Sequence, residues 1–109
     1  MVNSMQNKDY TIRQELLARF AKAMGHPARI AILQFLAKQQ ECCFGGIYEE
    51  LPIAKATVSQ HLKELKSVGL IQGEVDPPKV KYCINRENLN LAMQLFGEFF
   101  KDSACGEKI

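Results

Sequence analysis

The sequence predicts a mainly α-helical fold carrying one small β-hairpin, and three observations lead there. Apolar residues recur at helical spacing near both ends, two helical stretches meet at a short Pro-containing turn in the middle, and strand-like alternation flanks Asp76-Pro77-Pro78-Lys79. At 109 residues and 47% hydrophobic, the chain forms a single domain over 1–109 that struggles to bury enough apolar surface alone, so a homodimer is expected before any motif is read.

Each element has its own justification. From Thr11 to Met24, the apolar positions Ile12, Leu16, Leu17, Phe20, Ala21 and Met24 follow helical spacing, and Gly25 stands where the helix stops. His26-Pro27 restarts the chain, because proline is tolerated at the first helical position. Ile30, Leu33, Leu36 and Ala37 then form the buried face of a helix ending near Lys38. Gly46-Ile47-Tyr48-Glu49-Glu50-Leu51 reads as a short helix stopped by Pro52, and a longer helix runs from about Lys55 to Val68 before Gly69. Two helices joined by so short a turn outline a helix-turn-helix. Leu70 to Val75 and Val80 to Ile84 read as the strands of a hairpin, which directly after such a unit is a wing. Leu89 to Phe100 holds Leu89, Leu91, Ala92, Met93, Leu95, Phe96, Phe99 and Phe100, too many for one buried stripe. This last helix is expected to serve both an intramolecular and an intersubunit contact, the terminal helices (about 11–24 and 88–101) forming the dimer interface. The fold class is a homodimeric winged helix-turn-helix, mainly α with a β-hairpin wing.

Charge and composition narrow the function. The apolar runs are short and interrupted by charge, and the N-terminal MVNSMQNKDY has no apolar signal core, so the expectation is a cytoplasmic protein, with no membrane partner and with reduced thiols. The net charge of +2 is small but uneven. Between 52 and 86, Lys55, Lys63, Lys66, Lys79, Lys81 and Arg86 face only Glu64, Glu74 and Asp76, whereas beyond 86 acids outnumber lysines. The positive field therefore sits on the helix-turn-helix and wing. At about 100° per residue, Val58, Leu62, Leu65 and Val68 cluster on one side of the longer helix. The opposite side is Ala56, Ser59, Gln60, Lys63 and Ser67, with Lys55 and Thr57 at the helix start. Small residues allow close approach to a major groove, amide and hydroxyl groups address base edges, and lysines neutralise phosphate. Lys79 and Lys81 of the wing would reach the flanking backbone or the minor groove. His61 lies at the border of the apolar face, where it packs or touches a phosphate, and His26 caps or bonds locally in its Gly-His-Pro turn. No nucleophile with base and orienting group, no phosphate-cradling loop and no paired acids are visible, so no enzymatic activity is expected.

Met24-Gly25-His26-Pro27-Ala28-Arg29-Ile30-Ala31-Ile32-Leu33, the Thr57-Val58-Ser59-Gln60-His61-Leu62-Lys63-Glu64-Leu65 of the longer helix, and Val68-Gly69-Leu70-Ile71 leading into the wing together resemble the ArsR/SmtB family of bacterial metal-sensing repressors. The resemblance spans roughly residues 11–101. It implies a homodimeric repressor that binds an inverted-repeat operator in double-stranded DNA and releases it when an inducer binds. The sequence departs from the family pattern at Ala54, where a serine N-cap is usual, and at the wing tip, Asp76-Pro77-Pro78-Lys79. One branch of the family binds zinc-like ions through His and carboxylate groups of paired C-terminal helices, and the absence of histidine from 87–101 excludes it. Another branch carries a Cys-x-Cys pair that reads arsenite, antimonite, cadmium or lead. Alignment puts Cys43 on the first thiol, but Gly45 on the second and Gly46 on the acidic residue that often follows.

The cysteines are Cys42, Cys43, Cys83 and Cys105. If 42–44 runs as a strand beside the wing, alternation sends Cys42 to the core and Cys43 outward, on the side of Cys83. Cys43 and Cys83 are then the candidate thiol pair, with Cys105, on a tail beyond the last helix, as a possible third ligand. A soft ion such as arsenite, antimonite or cadmium would suit such thiolates. The alternatives are a repressor that answers thiol oxidation or sulfur species without a metal, and a winged-helix protein-interaction module.

Overall fold

In the computed structural model, which describes residues 9–39, 47–76 and 79–105, the chain runs as α1 (Ile12–Met24), α2 (Pro27–Lys38), α3 (Ile47–Glu50), α4 (Lys55–Ser67), β1 (Ile71–Asp76), β2 (Lys79–Ile84) and α5 (Arg86–Cys105). The element order is the one expected. The proposed strand at 42–44, with Cys42, Cys43, Gly45 and Gly46, and the Pro77-Pro78 tip lie outside the described residues.

Local chemistry sets most boundaries. At the start of α1 the Thr11 hydroxyl accepts from the Gln14 N–H at 3.0 Å while the Gln14 side chain accepts from the Thr11 N–H at 2.9 Å, a reciprocal capping box. Pro27 opens α2, and the His26 Nδ1 accepts from the Ala28 N–H at 3.0 Å as its N-cap. Helix α4 starts without side-chain help at Ala54, whose carbonyl takes the Thr57 and Val58 amides. It ends in a Schellman arrangement. The Leu70 N–H reaches the Leu65 carbonyl and the Gly69 N–H reaches that of Lys66, with Gly69 at φ +81°. Leu70 is consumed by that cap, so β1 begins one residue later than expected, at Ile71. The hairpin is antiparallel, pairing Ile71 with Ile84, Gln72 with Cys83, Glu74 with Lys81 and Asp76 with Lys79.

One core runs through all elements: Phe20 and Ala23 from α1, Ile32, Leu33 and Leu36 from α2, Ile47 from α3, Val58, Leu62 and Leu65 from α4, Leu70, Ile71 and Ile84 around the hairpin, and Ala92 and Leu95 from α5. On α2 the buried stripe centres on Ile32 and Ile30 is exposed, because the helix is covered by both α4 and β2. Helix α1 packs on α5, where Arg13 pairs with Glu98. The Gln94 amide and the Arg13 guanidinium hold the Glu98 carboxyl below the usual range. Arg86 crosses to the Ala37 carbonyl at 3.2 Å, satisfying a last-turn acceptor of α2.

The position of Cys105 is also corrected. Cys105 is the last residue of α5, not part of a tail, since nothing between Phe100 and Gly106 breaks a helix. At about 1.5 Å per residue it lies about 28 Å along the axis from Arg86. Cys83 is three residues before Arg86, within about 11 Å of it, so the Cα atoms of the two cysteines of one chain lie more than about 15 Å apart.

Candidate nucleic-acid interface

Helix α4 is anchored by one face and open on the other. Val58, Leu62 and Leu65 are buried to 0–1% exposure, so the 3.6-residue period turns Ala56, Ser59, Gln60, Lys63 and Ser67 to the surface. Lys55 and Thr57 are exposed at the helix start. No large apolar side chain interrupts this face, which is small, hydrogen-bonding and cationic.

Neighbouring groups hold several of these side chains. Tyr48 of α3 places its hydroxyl 3.1 Å from the Ser59 hydroxyl, and the Lys55 ammonium sits 5.6 Å from the centroid of the Tyr48 ring. One aromatic residue of the first short helix thus braces two residues of the second. The Gln60 amide donates to the Glu64 carboxylate at 3.1 Å, a bond it would exchange to address a base edge. Ser67 donates to the Glu64 carbonyl at 2.7 Å and so closes the last turn.

His61 lies inside rather than on this face. It is 7% exposed, and its Nδ1 accepts from the Arg29 Nε at 3.0 Å. Arg29 also donates to the Ala23 carbonyl at 3.1 Å, and the His26 ring lies 4.4 Å from that of His61. Burial comes first in pushing the His61 pKa down, followed by His26 and Arg29, with Glu64 pulling the other way.

The wing differs in charge from the helix. The pairing register sets Lys81 across from Glu74 and Lys79 across from Asp76, so each expected phosphate contact has an acid at the opposing position. Lys81 is half-buried. Cys83, also half-buried, is disulfide-bonded. Among the described residues no three His, Cys, Asp or Glu side chains converge as metal ligands.

Two residues that matter at this surface had no sequence signal of their own. Tyr48 needs the α3–α4 angle to reach Lys55 and Ser59. Arg29 is one cation in an otherwise apolar helix start, and its bonds to Ala23 and His61 exist only once α1, α2 and α4 meet.

The family described as bacterial regulatory protein, arsR family, matches residues 26–72. The HTH-type transcriptional regulator YgaV of Escherichia coli is 32% identical over 76 residues, 70% of this chain and 77% of that protein. The HTH-type transcriptional regulator MJ1325 of Methanocaldococcus jannaschii is 37% identical over 86 residues, 79% of this chain and 97% of its own length. The cadmium resistance transcriptional regulatory protein CadC of Listeria innocua is 28% identical over 101 residues, 93% of this chain and 84% of that one. In fold, the chain is similar to the crystal structure of a possible transcriptional regulator for arsenical resistance, with a TM-score of 0.65 at 22% identity over 75% of this chain and 83% of the other.

Proposed function

This chain belongs to the arsR family of bacterial regulatory proteins, a family of DNA-binding transcription regulators and not enzymes, and from that premise we propose that it is a homodimeric repressor whose operator affinity is set by a thiol-reactive inducer. The observation that carries the DNA-binding part is the outward face of α4, uniformly small, polar and basic above a fully buried base. Lys55 and Lys63 neutralise phosphates flanking the groove, and Ala56, Thr57, Ser59 and Gln60 approach the base edges. Lys79 and Lys81 add backbone contacts from the wing. The exposed Met93 and Phe100 of α5 and Ile12 of α1 supply the apolar surface for a two-fold dimer, which doubles the reading helix onto two half-sites. The protein works in the cytoplasm, where its operator is.

For the inducer, soft ions prefer sulfur, and a relative is named for cadmium resistance. Arsenite, antimonite or cadmium acting on Cys43 and Cys83 is the first reading. The second is oxidation of the same pair, in which two thiols lose two protons and two electrons to a peroxide-class oxidant and join as a disulfide. The disulfide at Cys83 means that its sulfur can close onto another thiol, which is what the second reading requires. Cys105, carried away from the wing of its own chain along α5, would join as a third ligand only from the partner subunit.

The test starts from a duplex that the protein selects out of a randomised pool. Its affinity is followed by fluorescence anisotropy with arsenite, cadmium or peroxide added, for the parent, Cys43→Ser and Cys83→Ser. Release by one reagent that either substitution abolishes supports the thiol switch and identifies its chemistry. Both variants responding like the parent would sink it. A protein-interaction module would instead show no salt-sensitive duplex binding at all.

A further inference from the structure

We propose that His26, Arg29 and His61 form a positioning cluster that holds the reading helix against α1 and α2 only while the His61 imidazole is neutral, so that operator binding weakens on acidification. The proposal rests on α4 being the DNA-reading helix.

The hydrogen bonds dictate the protonation states. Arg29 is always a cation and can only donate, so the His61 Nδ1 it contacts at 3.0 Å must be a bare acceptor, with the proton on Nε2. The His26 Nδ1 likewise accepts, from the Ala28 N–H at 3.0 Å, and so caps α2. The two rings lie 4.4 Å apart at 44°. Arg29 completes the tie by donating to the Ala23 carbonyl in the last turn of α1. A proton added to the His61 Nδ1 turns an acceptor into a donor that faces a donor. At His61 the new charge would also meet the Arg29 guanidinium in a buried setting.

The surroundings offer little to offset that charge. His26 and Arg29 face His61 from the start of α2, the Ala23 carbonyl approaches from α1, and Glu64 stands one turn along α4. Arg19 and Lys22 of α1 line the same cleft as Arg29 and Glu64, adding two more cations. Among the described residues Glu64 is the acid at this cluster, and it already takes the Gln60 amide. The folded-state pKa of His61 is lowered. The stabilisation is therefore complete above the unfolded value of about 6.5 and is lost as pH falls below it. The loss falls on α4 next to Gln60, where small shifts in helix placement reach the base-contacting side chains.

Asparagine separates position from titration, since its amide oxygen can take the place of the imidazole Nδ1 acceptor at both sites and is a good N-cap at 26. The duplex is the one selected by the wild-type protein from a randomised pool at about pH 7.5, and affinity is measured down to about pH 5.5 with circular dichroism confirming the fold at each pH. Wild-type affinity is expected to fall across that range, by no more than about tenfold per pH unit for one proton held by the free protein and released on binding. The double variant His26→Asn/His61→Asn is expected to bind within about threefold of wild type at the upper pH and to lose most of that fall, a pattern that structural support alone would not produce. His61→Leu should bind more weakly at every pH without the slope. Nitrogen-detected NMR of the imidazoles without DNA should show His61 as the Nε2–H tautomer at neutral pH.

An unchanged pH slope in the double Asn variant would overturn the proposal. So would an NMR spectrum showing His61 protonated at Nδ1 at neutral pH, which would refute the cluster itself. Failure of the wild type to select any duplex would instead strike the α4 premise, while the NMR result would still stand on its own.

Discussion

Replacing Gly69 by alanine tests the joint between the reading helix and the wing. Gly69 sits at φ +81°, the left-handed region, as the residue that lets α4 end and Leu70 turn into the hairpin. Alanine there costs about 1–2 kcal/mol in backbone conformation alone. A Cβ at this position would come 2.6 Å from the Asn88 Nδ2, and that amide donates to the Gly69 carbonyl at 3.0 Å. The Asn88 side chain must move, and losing its bond adds about 0.5–1.5 kcal/mol. The total is about 2–3 kcal/mol, a large share of the roughly 5–15 kcal/mol that holds a small domain together. Urea unfolding at fixed protein concentration should show the midpoint falling by about 1–2 M with the slope unchanged. Asn88→Ala separates the two contributions. By itself it should cost about 1 kcal/mol, and in its background Gly69→Ala should retain only the conformational part, about 1–2 kcal/mol. A Gly69→Ala protein within about 0.5 kcal/mol of the parent, or a cost that vanishes once Asn88 is removed, would refute the assignment of the strain to the backbone.

Other outcomes are equally direct. Lys63→Ala should weaken binding of a selected duplex at low salt and make the plot of log affinity against log salt shallower by about one ion; an unchanged slope would remove Lys63 from the phosphate contacts. Ala54→Ser supplies the missing N-cap acceptor of α4 and should stabilise the fold by about 1 kcal/mol, raising the Tm by about 4–8 °C in calorimetry. Phe100→Glu or Met93→Lys, at side chains each 62% exposed, should shift sedimentation equilibrium from dimer to monomer while leaving helix content intact. Global stability should fall as pH drops below about 6.5, because the lowered His61 pKa means that the unfolded chain binds protons first; a flat urea midpoint between about pH 7.5 and pH 5.5 would contradict that.

Much of the fold could be read from the chain because its signals are local. Helical spacing at Leu16, Leu17 and Phe20, Pro27 at a helix start, Gly69 at a helix end and alternation on either side of residues 77 and 78 each depend on near neighbours, and they order the elements correctly. The angular count on α4 separated Val58, Leu62 and Leu65 from Ser59, Gln60 and Lys63 for the same reason: one helix turns by a constant step. Where two faces of one helix are both apolar, local pattern fails. Ile30 and Ile32 are alike in type, and only the packing of α4 and β2 on α2 decides that Ile32 is the buried one.

The functional surface divides along the same line. The sequence by itself determined which residues α4 presents, where positive charge gathers and that a hairpin follows, since periodicity and composition are properties of the chain. Only the tertiary structure decided that His61 faces inward to Arg29, that Tyr48 braces Lys55 and Ser59, that acids stand opposite Lys79 and Lys81 in the wing, and that Cys105 is carried away from Cys83 along α5. Those relations join residues from separate elements. They depend on helix crossing, strand register and helix length, which are set by how the whole core closes and which no local stretch of sequence encodes.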